Sequence, residues 1–331
     1  MDFGNESVLV TGAAGFIGSH VSIRLLGLGA KVVGIDNFDP YYARELKDHN
    51  LKMVDEAGGD FVFKQMDICD TQSLESLMKA EGVTGVVHLA AKAGVRPSIE
   101  DPVGYSLHNV VGTQSVLTAA SSAGCKRVSA ASSSSVYGNN EKAPFSEEDS
   151  VEHPISPYAA TKRSCELIGE THYQLTRLPV AMLRFFTVFG PGQRPDLAIR
   201  LFLNKIGRGD TITMFGDGSM SRDFTYIDDI VAGVLASYEK IDEHGYRIWN
   251  LGSDHPMELH KLISTVAEVV GKEAIIDQQP MQPGDVNRTW ADLARSKSEL
   301  GYGATTSIRD GIAKQWEWMQ SNVELIHKAG G

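Results

Sequence analysis

The chain has no run of basic residues, no cysteine pairing pattern and no long apolar stretch. Lys and Arg number 31 against 42 Asp and Glu in 331 residues, a net charge of −11 with His neutral. A duplex-binding protein carries a basic balance or stripe, so nucleic acid is excluded as a partner. An anionic small molecule is not, because a few local arginines overcome a distant negative field. The cysteines are three, Cys69, Cys125 and Cys165. Their odd number, with no C-x-x-C and no His cluster beside them, favours reduced thiols and a cytoplasmic setting and argues against a zinc site, so no metal is expected. No apolar stretch approaches the roughly 18 residues of a membrane span, and the opening residues lack the basic start of a secretory signal, so no membrane partner is expected. Disorder is excluded as well: 42% hydrophobic and 22% charged residues are the balance of a globular chain. At 331 residues it is long enough for about two domains and for a core that needs no disulfide.

Short β-branched runs alternate with helical patterns through the first half. Residues 8–11, 32–36, 61–66, 85–89, 127–132 and 180–185 read as strands, and Ile17, Val21 and Leu25 mark a helix between the first two. Such alternation predicts an α/β fold, a doubly wound parallel sheet covered on both faces. The second half has more Gly and Pro and shorter elements. Residues 248–251 are expected to return to the sheet, and 259–270 and 308–318 to form amphipathic helices. The expected division is a dinucleotide-binding domain over 1–187 plus about 224–254, and a smaller interleaved substrate domain over about 188–223 plus 255–331.

The first strand runs into Gly12, Gly15 and Gly18, with Phe16 and Ile17 opening the helix that follows. Glycine permits a tight turn and close backbone approach to a pyrophosphate at a helix N-terminus. Asp36, eighteen residues beyond Gly18 at the end of the second strand, has the spacing of a carboxylate that binds the ribose 2′-hydroxyl. An acid there repels a 2′-phosphate, which favours NAD over NADP. Asp67 after the third strand is placed to reach the adenine. Leu89, Ala90, Ala91 and Lys92 after the fourth strand allow close approach of the cofactor, and Asn109 sits on a helix. Each of these taken alone also reads as plain packing or surface.

Ser156 and Pro157 suit the N-cap and first position of a helix on which Tyr158 and Lys162 stand at i and i+4, on one face. A tyrosine serves as a base near neutral pH as its phenolate, which a neighbouring ammonium, a helix N-terminus and a cationic nicotinamide ring all favour. The alternative is a helix surface pair. Ser132 to Ser135 end the fifth strand, at the carboxyl edge where ligands bind in such sheets. With strand alternation, Ser133 and Ser135 point one way, Ser132 and Ser134 the other. One of these hydroxyls is placed to orient a sugar hydroxyl toward Tyr158; the alternative is a solvated turn.

Together, the glycine triplet, the serine before Val136-Tyr137-Gly138, and Tyr158-x-x-x-Lys162 resemble the extended short-chain dehydrogenase/reductases, and nearly the full length is similar to their UDP-sugar 4-epimerases. The resemblance implies a Rossmann fold, NAD as cofactor, a UDP-sugar substrate and a homodimer. Counting back from Val136, Ser133 falls at the catalytic Ser/Thr position. Asn37, Ile68, Phe185 and Val188 join the cofactor contacts. The segments 183–187, 215–218 with Arg222 and Asp223, and 283–285 with Arg288 resemble the substrate-contacting motifs; Asn287 stands where Pro is usual. Among these, Thr187, Phe215, Arg222 and Arg288 are the implied substrate contacts.

Dehydratases of this family carry acids directly after the catalytic residue, and the glucuronate decarboxylases a Glu two places on. Here those places hold Ser134 and Ser135. That favours simple epimerisation. The loop 39–47 and the segment 187–196 resemble UDP-glucuronate 4-epimerases, in which Arg194 would face the sugar carboxylate. Arg96 is a second candidate, since a carboxylate suits a bidentate arginine. The favoured activity is 4-epimerisation of UDP-glucuronate. Its rivals are a UDP-glucose or UDP-N-acetylglucosamine 4-epimerase, a net reductase, decarboxylase or dehydratase on the same fold, and a non-catalytic NAD-sensing protein.

Overall fold

The computed structural model describes residues 1–280 and 287–329. Among the described residues twelve strands are formed: β1 Ser7–Thr11, β2 Lys31–Asp36, β3 Phe61–Gln65, β4 Gly85–His88, β5 Arg127–Ala131, β6 Val180–Phe185, β7 Thr187–Phe189, β8 Ile212–Phe215, β9 Ser221–Tyr226, β10 Tyr246–Leu251, β11 Pro256–Glu258 and β12 Ile276–Gln279. Seven of them make one sheet in the order β10-β6-β5-β4-β1-β2-β3, every neighbouring pair parallel. Parallel neighbours need crossover connections, and the helices that supply them cover both faces. The first seven are α1 Phe16–Gly27, α2 Arg44–Glu56, α3 Thr71–Ala80, α4 Val95–Glu100, α5 Pro102–Tyr105, α6 Gly112–Ala123 and α7 Pro157–Thr176.

β1 shows how the layers are built. All five of its residues are buried. Val8 and Val10 pack into one core with Val21 and Leu25 of α1, while Leu9 packs into the other with Leu74 of α3 and Val116 of α6. Alternation along one strand thus feeds two cores, which is why the strand reads as a continuous apolar run. The expected return of 248–251 is the C-terminal part of β10, which extends the sheet beside β6.

The chain crosses from β1 to β2 on one side and from β3 to β4 on the other, so strand order reverses between β1 and β4. Side chains cannot fill the gap left there, and the crevice opens at the carboxyl ends of these strands. The remaining strands form a three-stranded sheet, β11-β9-β7, and a two-stranded one, β12-β8. Beside them lie α8 Ala198–Arg208, α9 Ile227–Lys240 and α10 Leu259–Val270. β7 follows β6 after one residue, so the two sheets meet beside the crevice.

Candidate active site

A cleft of about 710 Å³ lies over the switch point, and the loops after each of β1 to β6 reach it. At one end the chain turns from β1 into α1. Gly12 takes φ +71°, and a Cβ on it would stand 3.0 Å from the Ala90 backbone nitrogen. A Cβ on Gly18 would stand 2.0 Å from the Gly12 carbonyl oxygen. Only glycine lets α1 start this close to β1. Gly15 caps α1 without any side-chain hydrogen bond, so the leading N–H groups of that helix are left for a ligand. Those features fit a dinucleotide pyrophosphate.

Asp36 ends β2 and lines the cleft. Its Oδ1 accepts from the Phe38 backbone N–H at 2.8 Å. Burial pushes its carboxyl above the usual range, partly offset by that N–H and by the charge of Lys47. A ribose diol donating to it would restore the lost solvation. Asn37, Ile68, Leu89, Ala90, Ala91, Lys92, Phe185 and Val188 also line the cleft, as do Phe16 and Ile17. Asn109 lies buried behind this surface, and Asp67 stands half-exposed beside it. Asp67 accepts from Asn37 Nδ2 at 2.9 Å and from the Cys69 N–H at 2.8 Å. Asn109 exchanges two hydrogen bonds with the Lys92 backbone, at 2.8 and 3.0 Å, and donates to Thr161 Oγ1 at 3.0 Å. Both position the lining instead of forming it.

At the other end stands α7. Ser156 Oγ accepts from the Ala159 N–H at 3.1 Å, and Pro157 occupies the first turn. Tyr158 and Lys162 line the cleft from the same face. Lys162 is buried and donates from Nζ to the Ala131 carbonyl at 2.8 Å, which fixes it against the end of β5 and leaves two N–H groups. One turn further, the buried Glu166 receives Arg184 through Nε at 2.8 Å and Nη2 at 2.9 Å, and Ser132 Oγ at 2.7 Å. This bidentate pair ties α7 to β6 and to the serine run. Removing one member would leave a buried charge, at a cost of about 3–5 kcal/mol.

The serine run departs from strand geometry. β5 ends at Ala131, and Ser134–Tyr137 form a 3-10 turn. Period-two alternation therefore does not extend through the run. Ser132 is committed to Glu166, whereas Ser133 accepts from the Ser135 N–H at 3.1 Å, and all four serines touch the cleft. The turn follows because Ser133 caps it with its own hydroxyl.

A buried chain of hydrogen bonds runs beneath Lys162. Thr11 Oγ1 accepts from the Leu89 and Ala90 N–H groups, at 3.1 and 3.0 Å, so its proton goes to His88 Nδ1 at 2.7 Å. His88 Nε2 then donates to Thr113 Oγ1 at 3.2 Å, and Thr113 to the Cys165 sulfur at 3.4 Å. Burial first, and the Lys162 charge second, lower the His88 ring from 6.5 to about 3. The unfolded chain binds the extra proton between those values. Stability is therefore fully present above pH 6.5 and falls as pH drops toward 3, by up to about 1.4 kcal/mol per pH unit from this group. Urea midpoints measured from pH 7 to pH 4 should fall more steeply for the wild type than for His88→Asn; equal slopes would remove His88 from the balance.

Arg194 lines the cleft opposite α7, but its Nε and Nη2 meet Asp196 at 3.0 and 2.8 Å. Burial disfavours its charge, and the Asp196 carboxylate more than offsets this, so the guanidinium is held above its ordinary range. Thr187 and Ser134 line the same stretch. Arg96, Phe215, Arg222 and Arg288 are not brought to this cleft. Arg96 lies over the Phe215 ring at 5.4 Å, and Arg288 bridges to Ser221, next to Arg222. The segment 283–285 is outside the described residues. Three tyrosines that sequence reasoning passed over line the cleft, Tyr41, Tyr42 and Tyr105; Tyr105 packs edge-on against Tyr158 at 6.2 Å. Tyr41 and Tyr42 belong to the loop 39–47 that carries part of the family resemblance, but nothing in the sequence marks Tyr105.

Residues 8–252 match the model of the NAD dependent epimerase/dehydratase family. The chain belongs to that family. It is 39% identical over 319 residues to a UDP-glucuronate 4-epimerase of Thermodesulfobacterium geofontis, covering 96% of this chain and 97% of the relative. Its fold is similar to the crystal structure of a Bacillus cereus UDP-glucuronic acid 4-epimerase in complex with UDP-glucuronic acid and NAD, with TM-score 0.89, 36% identity and coverage of 95% and 99%. A UDP-glucose 4-epimerase from Thermotoga maritima, solved with UDP-glucose, is similar at TM-score 0.86 and 28% identity, covering 96% of this chain and 99% of that one. Family membership matches the Rossmann sheet and the dinucleotide turn derived above. Among the described residues no group of three or more His, Cys, Asp or Glu is arranged to hold a metal ion, and no helix is long and apolar enough to cross a membrane.

Proposed function

We propose that this family member interconverts UDP-glucuronate and UDP-galacturonate by NAD-dependent epimerisation at carbon 4. The observation that carries the reading is one cleft in which the dinucleotide turn and Asp36 sit at one end, and Tyr158, Lys162 and Ser133 face Thr187 and Arg194 at the other. The relatives and structures named for UDP-glucuronate support the substrate.

NAD, when bound, supplies reversible oxidation at the sugar carbon. It would be held by the glycine turn, by Asp36 on the adenosine ribose, and by Lys162. Tyr158 accepts the proton of the 4-hydroxyl and later returns it. Ser133, its hydroxyl held by the Ser135 N–H, orients that hydroxyl. Lys162, pinned to Ala131, lines the cleft from the same face of α7 as Tyr158, with two N–H groups left to bind the cofactor. UDP is proposed to lie toward Phe215, Arg222 and Arg288 on the smaller lobe, about 188–223 with the residues after 254, and NAD on the larger. Anchoring through UDP leaves the sugar free to turn between the two half-reactions. The 4-keto intermediate of a glucuronate is a β-keto acid that readily loses carbon dioxide. Arg194, Thr187 and Ser134 would hold its carboxylate, and the serines at 134 and 135 offer no acid to promote elimination.

Asp36→Ala should weaken NAD by about 10- to 100-fold and narrow the preference over NADP, since a charge-assisted bond to the 2′-hydroxyl is lost. Calorimetric titration of cofactor-depleted protein with each nucleotide checks this; an unchanged preference would move the ribose contact elsewhere.

One observation favours a second reading. The Arg194 fork already meets Asp196, so a neutral sugar would leave that pair undisturbed, as a UDP-glucose 4-epimerase requires. Incubation with UDP-glucuronate, UDP-glucose and UDP-N-acetylglucosamine without added NAD, followed by NMR, separates the readings. Galacturonate formed fastest, with little pentose product, is expected; faster turnover of a neutral sugar would overturn the uronate assignment.

The protein is further proposed to be a cytoplasmic homodimer. Its cysteines are unpaired, and Val103, Leu107, Val111 and, on α7, Leu167 form exposed apolar positions on helices that pack together. Light scattering after gel filtration should give twice the chain mass.

A further inference from the structure

The loop 37–43 after β2 lines the cleft through Asn37, Asp39, Tyr41 and Tyr42, and side chains on either side tie it down, Lys47 Nζ donating to the Asp39 carbonyl at 2.6 Å. Asp39 Oδ2 meets Lys92 Nζ at 3.3 Å, and Lys92 also meets Asp101 at 3.3 Å. Tyr41 Oη donates to Asp196 Oδ2 at 3.2 Å. That oxygen also receives Arg194 Nη2 at 2.8 Å, while Oδ1 receives Nε at 3.0 Å, and the guanidinium lies over the Tyr41 ring at 5.1 Å. Tyr41, Asp196 and Arg194 therefore close a triangle at the wall of the cleft. Its base is continuous with Asp36, three residues before Asp39 and five before Tyr41.

We propose that Asp196 is a positioning residue that couples retention of the dinucleotide to recognition of the substrate carboxylate. The carboxylate occupies one edge of the guanidinium and so sets its plane. A guanidinium has five N–H groups, and two are used here, so Nη1 remains for a second carboxylate. The same Asp196 receives the Tyr41 hydroxyl and so holds the loop that follows Asp36 and begins with Asn37, two residues that line the cleft where the cofactor would bind. A planar fork held on one edge loses less freedom when the other edge is bound, which is how a fixed counter-ion improves recognition of a second one. The carboxylate arm rests on Arg194 receiving the sugar carboxylate; the loop arm does not.

The test uses Asp196→Asn in the holoenzyme. Loss of a charge-assisted pair should raise KM for UDP-glucuronate about 10-fold, with kcat within about twofold and KM for UDP-glucose unchanged. Release of bound NAD, followed by ultrafiltration or by the fluorescence of added NADH displacing it, should quicken about 10-fold. Asp196→Glu should restore both, and the melting temperature reports any general loss of fold. Tyr41→Phe should speed NAD release as well, and the double variant no further than either single one, since both cut the same bond. A KM for UDP-glucuronate that is unchanged or lowered in Asp196→Asn, while Arg194→Ala still damages uronate turnover, overturns the carboxylate arm. Unchanged NAD release overturns the loop arm. If Arg194→Ala spares uronate turnover, the reading of Arg194 fails instead, and NAD release still decides the loop arm.

Discussion

Tyr158→Phe should lower kcat by about 10²–10⁴-fold and leave the fold and NAD content nearly intact, because a single positioned general base contributes that much. Phenylalanine fills the same space and keeps the edge-on contact with Tyr105. The helix that carries it is capped by Ser156 and anchored by the buried Glu166–Arg184 pair, neither of which involves the phenol oxygen. Loss of activity without loss of melting temperature would therefore isolate the proton-transfer role. Lys162 would not show so clean a result, since its Nζ also ties α7 to Ala131. Steady-state turnover on UDP-glucuronate, with NAD content read by absorbance after denaturation, measures both quantities. Turnover near the wild-type value would remove Tyr158 as the base.

Arg194→Ala should reduce kcat/KM on UDP-glucuronate by on the order of 10²-fold, from the few kcal/mol of an unmade charged contact, and spare any turnover of UDP-glucose. The uronate should also begin to yield pentose, because its carboxylate is no longer held away from the geometry of carbon–carbon cleavage. The variant leaves Asp196 facing Tyr41 alone, which separates it from Asp196→Asn, where the arginine stays. Product analysis by NMR on both substrates checks the outcome. Equal losses on the two sugars would leave the neutral-sugar epimerase as the better reading.

The parts of this molecule set by local chemistry were legible before any coordinates. The glycine turn announces itself because Gly12 takes a positive φ and Gly18 sits where a Cβ would collide with backbone, and Asp36 follows at the end of a strand that β-branched residues mark. Ser156 and Pro157 announce the helix that carries Tyr158 and Lys162. The serine run misled because strand alternation was carried past Ala131, where a serine side chain caps its own backbone and starts a turn. The Thr11–His88–Thr113–Cys165 chain joins residues 77, 25 and 52 positions apart, and no local pattern encodes such a path. The same holds for Tyr41 and Asp196, 155 positions apart, which meet only because two sheets are joined beside the crevice. That Arg194 lines the cleft agrees with its place in the sequence motif, whereas its pairing was not legible there. Its partner two residues on was visible, but the side-chain geometry was not.

The central claim is that configuration at carbon 4 is inverted by removing and returning the same hydrogen within one cleft. Conversion of UDP-glucuronate deuterated at carbon 4, in ordinary water and without added NAD, tests it most directly. UDP-galacturonate that keeps its deuterium at carbon 4, with none released to solvent, is the predicted result. Loss of the label to water during epimerisation would contradict the account.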